Sequence, residues 1–239
     1  VLEKGKRTRE QEEELVTKFV IALISECCEF KFEYPVINEL PEYININADK
    51  AWANLMSEQI EYVPSSDDQP KLIFPGAFNP LHDGHEAMSK LAEQETGEKT
   101  FFEICIQNVD KPPLSYHQID KTIAQFKSSQ NWVLTKAGKF SDKARLFPNS
   151  TFIIGADTLV RIFDERFYAS RSDMLAEFDI FNQNSIGFLV FGRKYQNKFL
   201  ELKDVNIPDS IKSLFKGFGE NIFREDISSS SIRLENTEE

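Results

Sequence analysis

Apolar residues recur at helical spacing across residues 8–29, TREQEEELVTKFVIALISECCE, where Leu15, Val16, Phe19, Val20, Leu23, Ile24 and Cys27 mark one face. Thr8, followed three residues later by Gln11, fits a capping box and predicts the start of that helix. The pattern weakens from about Phe30 to Gln69. Pro35, Pro41 and the run PSSDDQP at 64–70 interrupt it, and its second part reads as a linker or loop. From Lys71 the rhythm changes. KLIF (71–74), TFFEICI (100–106), TFIIGA (151–156) and GFLVFG (187–192) are predicted strands, with NIFRED (221–226) as a weaker fifth. Helical patterns lie at about 84–96, 117–128, 157–164, 172–181 and 229–236. Strands alternating with helices predict an α/β domain with a parallel sheet.

The expected organisation is therefore an N-terminal helical segment (1–34), a linker (35–69) and a main domain (70–239). A lone amphipathic helix cannot bury its own apolar face. The helix of the first segment must pack on the main domain, on a second copy in a homo-oligomer, or on a domain outside this chain.

Composition narrows the function. The chain has 239 residues, 41% of them hydrophobic, enough for a full core. No apolar run approaches the roughly 20 residues that span a bilayer, and no basic leader with an apolar core is visible, so no membrane partner is expected. The net charge of −11 sets most of the surface against nucleic acid. A small phosphate ligand is not excluded, because it needs only local positive potential. Cys27, Cys28 and Cys105 form neither a disulfide framework nor a zinc site, and reduced thiols fit a cytoplasmic protein. The 21 phenylalanines are expected in the core.

The chemistry concentrates in PGAFNPLHDGH (75–85), which holds two of the three histidines, His82 and His85. A predicted strand ends at Phe74 and a predicted helix follows. Ligands of open parallel sheets bind beyond the carboxyl ends of the strands. Gly76 permits close backbone approach, Pro75 and Pro80 stiffen the turn, and Asp83 suits a helix cap. The helix then offers free N–H groups and the positive end of its dipole. Two imidazoles beside such amides suit a polyphosphate. Zinc is the other functional reading, but two histidines need a third ligand and the sequence offers none that convinces. A single histidine here would read as an ordinary turn residue. The third, His117, has no motif around it.

GAFNPLHDGH resembles the first signature of the HxGH nucleotidylyltransferase superfamily, which attaches a nucleotide to a phosphorylated partner. A second signature, I-S-S-T/S-x-x-R, is matched near the C-terminus by Ile227, Ser228, Ser229, Ser230 and Arg233. There a serine can cap a helix, and a guanidinium one turn later presents a planar fork to phosphate. Read alone, the same serines suit a disordered tail.

Residues 150–163, STFIIGADTLVRIF, are similar to the G-x-D stretch of nicotinamide mononucleotide adenylyltransferases. The resemblance implies a Rossmann-like open parallel sheet with helices on both faces. It implies an ATP site of Gly76, Ala77, Phe78, Gly84, Gly155, Asp157, Arg193, Ser228, Ser229 and Ser230. It gives catalytic roles to His82, His85, Arg233 and Lys111, and stacking on the acceptor's ring to Trp132. From the residues alone, Asp157 also suits an N-cap, Lys111 a solvated loop and Trp132 the core or a hinge. TIAQF (122–126) stands where those enzymes carry arginine and methionine, which leaves the acceptor open. The first 29 residues are similar to the end of the CinA C-terminal domain, which deamidates nicotinamide mononucleotide.

The implied reaction is AMP transfer from ATP to a phosphorylated small molecule, with pyrophosphate released. The first expectation for the acceptor is nicotinamide or nicotinate mononucleotide. Mg²⁺ is the expected cofactor, carried on the ATP phosphates with no metal site of the protein's own. The alternatives are a cytidylyltransferase or another adenylyltransferase, and a nucleotide-binding sensor or scaffold without catalysis.

Overall fold

The computed structural model describes residues 5–30, 47–107, 112–195, 198–225, 227, 229, 232 and 233, without the side chain of Phe167. The chain divides into two compact units, Val1–Asn45 and Ile46–Glu239.

In the first unit, α1 (Arg9–Cys27) begins where the capping box predicts. Thr8 N donates to Gln11 Oε1 at 2.9 Å, and Gln11 N donates to Thr8 Oγ1 at 3.3 Å. Val16, Val20, Leu23 and Ile24 of its apolar face are exposed.

The second unit starts with α2 (Lys50–Met56) and β1 (Tyr62–Pro64). Then follow β2 (Leu72–Pro75), α3 (Asp83–Thr96), β3 (Thr100–Cys105), α4 (Tyr116–Ile123), β4 (Asn131–Thr135), α5 (Phe140–Leu146) and β5 (Thr151–Gly155). The rest is α6 (Ala156–Ile162), α7 (Arg171–Gln183), β6 (Gly187–Phe191), a hairpin of β7 (Arg193–Tyr195) and β8 (Lys198–Leu200), and β9 (Phe215–Phe218).

Seven strands form one sheet in the order β1-β4-β3-β2-β5-β6-β9. All neighbours are parallel except the edge pair β1–β4. The strands are apolar on both faces because both are covered. Leu72, Phe74, Phe102, Ile153 and Leu189 pack with α2, α3 and α4, while Ile73, Phe101, Phe152, Phe188 and Val190 pack with α5, α6 and α7. This is the expected Rossmann-like arrangement. The chain runs outward from β2 in one direction and from β5 in the other, so a crevice opens between their carboxyl ends. Phenylalanines join the strands on the β5 side. Phe188 stacks on Phe215 at 4.7 Å and Phe191 on Phe218 at 4.6 Å, both pairs in register across β6 and β9.

Three expectations differ. The second half of the expected linker is part of the sheet unit, where Leu55 of α2 is fully buried and β1 pairs with β4. A three-residue strand is too short to show a period, and Pro64, tolerated on an edge strand, reads as a breaker. NIFRED is not a strand. Its place is taken by β9, whose FKGF carries only two apolar residues, and Phe223 alone buries its ring from the NIFRED stretch. The helix expected at 117–128 ends at Ile123, and residues 124–126 turn back toward the sheet. The helix expected at 229–236 lies mostly outside the described residues.

Candidate active site

The loop after β2 is shaped from beneath by Phe78. Its ring is buried and packs edge-on against Phe74 at 5.5 Å and Phe102 at 5.3 Å. A Cβ on Gly76 would stand 2.6 Å from that ring, so glycine is required for the ring to lie there. Phe78 takes φ +43°, a backbone region that bulky side chains rarely adopt. The expected ATP contact at Phe78 is therefore not its ring, which supports His85 from below at 5.1 Å. Ala77 is exposed on the loop.

His82 precedes α3 in extended backbone, and His85 lies in its first turn. The rings stack with centroids 3.7 Å apart and planes 26° from parallel. Gly84 keeps them so, since a Cβ there would meet the His82 ring at 3.1 Å. His82 N donates to His85 Nδ1 at 3.3 Å. A ring nitrogen that accepts carries no proton, so the proton of neutral His85 sits on Nε2, which becomes a donor. Burial pushes the His85 pKa down to about 3, with His82 and Arg193 adding to the effect. The His82 pKa is also lowered, by burial first and by Arg193 second, against an opposing pull from Asp83. Both rings are neutral at pH 7. Both His82 ring nitrogens are shut off from solvent without a hydrogen-bond partner.

Across the crevice, β5 ends in Gly155 and α6 carries Asp157 in its first turn. A Cβ on Gly155 would come within 2.4 Å of Asp157 Oδ1, so the carboxylate lies over the glycine backbone. That oxygen is buried without a hydrogen bond, and Arg193 Nη1 stands 3.7 Å away as an ion pair. His82, His85, Gly155 and Arg193 share one cavity of about 30 Å³ with Phe223, Glu225 and Ile227. The larger groove of about 840 Å³ along Glu201–Lys212 shares no residue with it.

The C-terminal motif reaches the same loop. Ser229 Oγ donates to Pro80 O at 3.0 Å, and the Arg233 guanidinium donates to Asn79 O. Two stretches about 150 residues apart are thereby joined. In this arrangement, however, both side chains hold backbone carbonyls. Ser228, Ser230 and Lys111 lie outside the described residues.

Trp132 is not brought to the crevice. It pairs with Phe102 inside β4, three residues before the strand's carboxyl end, and packs half-buried on the α2–α4 side. Its backbone N–H bonds Ser65 Oγ at 2.8 Å, which ties it to the β1 edge. The sequence reading missed Gln125, whose amide bonds the loop at Leu81 and Phe78. No local signal marks it, because a glutamine past a helix end is chemically generic and its partners are more than 40 residues away. Among the described residues no cluster of three metal-ligating side chains occurs, and no helix is long and apolar enough to cross a membrane.

Residues 73–235 match the family described as cytidylyltransferase-like. Among solved structures, the Plasmodium falciparum nicotinic acid mononucleotide adenylyltransferase complexed with NaAD is similar at 18% identity with a TM-score of 0.40, over 70% of this chain and 83% of its own. No curated protein matches the chain.

Proposed function

The chain belongs to the cytidylyltransferase-like family of nucleotidyltransferases, and we propose that it transfers AMP from ATP to nicotinamide or nicotinate mononucleotide. The observation that carries the proposal is the neutral histidine pair at the β2/β5 crevice, with two buried, unpartnered nitrogens on His82. Unpaired buried polar groups are destabilising, and a ligand that accepts hydrogen bonds satisfies the His82 nitrogen that carries the proton. The phosphates of ATP are such a ligand. The choice of acceptor rests on the likeness of residues 150–163 to nicotinamide mononucleotide adenylyltransferases.

A phosphate oxygen of the acceptor attacks the α-phosphorus in line. The new P–O bond forms as the bond to the β-phosphate oxygen breaks, and pyrophosphate leaves with the electron pair. No protein nucleophile is required, because the acceptor is already an anion. The protein positions the groups and stabilises charge. His85 Nε2–H and a ring N–H of His82 donate to the phosphates. Arg193 adds positive charge beside both. Asp157 Oδ1, buried without a hydrogen bond, accepts from a ribose hydroxyl in this proposal. Arg233 and Ser229 move from the loop carbonyls to the β- and γ-phosphates.

Mg²⁺ would fit a crevice whose carboxylates are few, Asp157 in the first turn of α6 and Glu225 lining the cavity, because it keeps most of its waters and binds mainly through phosphates. When bound it would neutralise charge on the triphosphate. A cavity of about 30 Å³ admits no more than part of a nucleotide.

The test is pyrophosphate release, with ATP and CTP each offered against a panel of phosphorylated acceptors. Release with ATP and a pyridine mononucleotide, with the dinucleotide formed, supports the proposal. Release with another pair keeps the chemistry and rejects the acceptor. ATP binding without release from any pair favours a sensor.

A further inference from the structure

The turn that presents His82 and His85 is gripped at both ends by one side chain from neither motif. Gln125 lies two residues past α4. Its Oε1 accepts from Leu81 N at 2.8 Å, and its Nε2 donates to Phe78 O at 2.9 Å and to Thr122 O at 3.3 Å. The partners fix the orientation of the amide, since only its oxygen can accept from an N–H and only its nitrogen can donate to a carbonyl. The two loop contacts bracket Asn79 and Pro80 and end one residue before His82. Phe78, at φ +43°, needs its surroundings to hold it there. The neighbouring Phe126 helps, packing edge-on against the Phe78 ring at 5.8 Å, and that ring in turn underlies His85.

We infer that Gln125 is a positioning residue for the histidine pair, holding the 78–81 turn so that both imidazoles meet the triphosphate, a role that presupposes the nucleotidyl transfer proposed above. Gln125 acts through the turn, so its loss misplaces donors without removing them. A misplacement of about 1 Å can lower turnover by roughly a hundredfold.

The experiment compares Gln125→Leu and Gln125→Glu with the wild-type chain, by steady-state pyrophosphate release and by ¹⁵N NMR of the imidazoles. Leucine removes every side-chain hydrogen bond. Glutamate keeps an acceptor for Leu81 N but sets a carboxylate against Phe78 O. The expected result for Gln125→Leu is a fall in kcat of about 10- to 100-fold, a smaller fall for Gln125→Glu, and KM for ATP within about threefold. The His82 and His85 signals shift in both variants, while exposed His117 on α4 stays put. Unmoved His82 and His85 signals with kcat unchanged, or with kcat falling only in step with melting temperature, overturn the inference. If Gln125→Leu does not fold, Gln125→Glu carries the same readouts. If the wild-type chain releases no pyrophosphate from any pair, the proposed reaction falls. The imidazole signals then decide alone: shifted signals keep the positioning role, and unmoved signals overturn it.

Discussion

Two polar clusters lie in the carboxyl half of the same sheet, and they are built in opposite ways. Around Glu103 of β3 the groups satisfy one another. Lys143 Nζ of α5 stands 2.6 Å from Glu103 Oε1 and donates to Ala137 O at 2.7 Å, and Thr135 Oγ1 donates to the same carboxylate oxygen. The pair is sealed, with side chains 5% and 1% exposed. Glu103 Oε2 has no bond, but the charge is matched. In the crevice, His82 has no partner at either nitrogen, and Asp157 Oδ1 has only an ion pair at 3.7 Å. A buried charge with its counter-ion in place ties α5 to the sheet. Buried donors and acceptors without partners are held for something that arrives.

The largest effects should separate the clusters by readout. His82→Ala is expected to lower turnover by about a thousandfold, on the scale of a lost transition-state donor, while melting temperature changes little. A large fall in melting temperature would place His82 with the structural cluster instead. Lys143→Met should do the reverse. It strands Glu103 in the core and is expected to destabilise the fold by roughly 3 kcal/mol, read as a lower urea midpoint. The double variant Lys143→Met, Glu103→Leu should recover much of that loss. If the double variant is no more stable than the single one, the pair is not what holds α5. Gly155→Ala comes next. Its Cβ would press on Asp157 Oδ1 from 2.4 Å, so the carboxylate must swing away. ATP affinity measured by calorimetry should drop about tenfold, or roughly 1.4 kcal/mol. Unchanged affinity would remove Asp157 from the nucleotide site.

The difference between the clusters was only half legible in the sequence. The crevice was readable because its residues sit in contiguous stretches with a local logic: strand, glycine turn, histidines, helix. Residues 75–85 and 151–157 each carry a strand end and the next helix start, so their placement followed from the α/β alternation. The Glu103 cluster draws single residues from β3, β4 and α5, and nothing in TFFEICI marks its glutamate as buried. Gln125 escaped for the same reason. β1 and β9 were missed because YVP and FKGF carry only two apolar residues each, too few for a pattern, and β4 was missed although its WVL is as apolar as the FII of β5. Trp132 is the opposite case. A resemblance suggested a role at the site, but register places the residue three positions short of the strand end.

The last predicted effect concerns protons, and it sharpens the contrast between a charged pair and a neutral one. In the unfolded chain His85 takes up a proton near 6.5, and in the folded chain only near 3. Between those values the unfolded state holds more protons, so stability rises with pH across the window and is lost as pH falls from about 6.5 toward 3. One such group contributes at most about 1.4 kcal/mol per pH unit. The urea midpoint of the wild-type chain should therefore fall more between pH 7 and pH 5 than that of His85→Gln. Arg193 is a secondary cause of the depressed values at both histidines. Arg193→Gln should raise both imidazole titrations in ¹⁵N NMR by less than burial lowers them, leaving His85 still below its unfolded value. If His85 instead rose to its unfolded value, the electrostatic field of Arg193 rather than burial would be what keeps the ring a neutral donor.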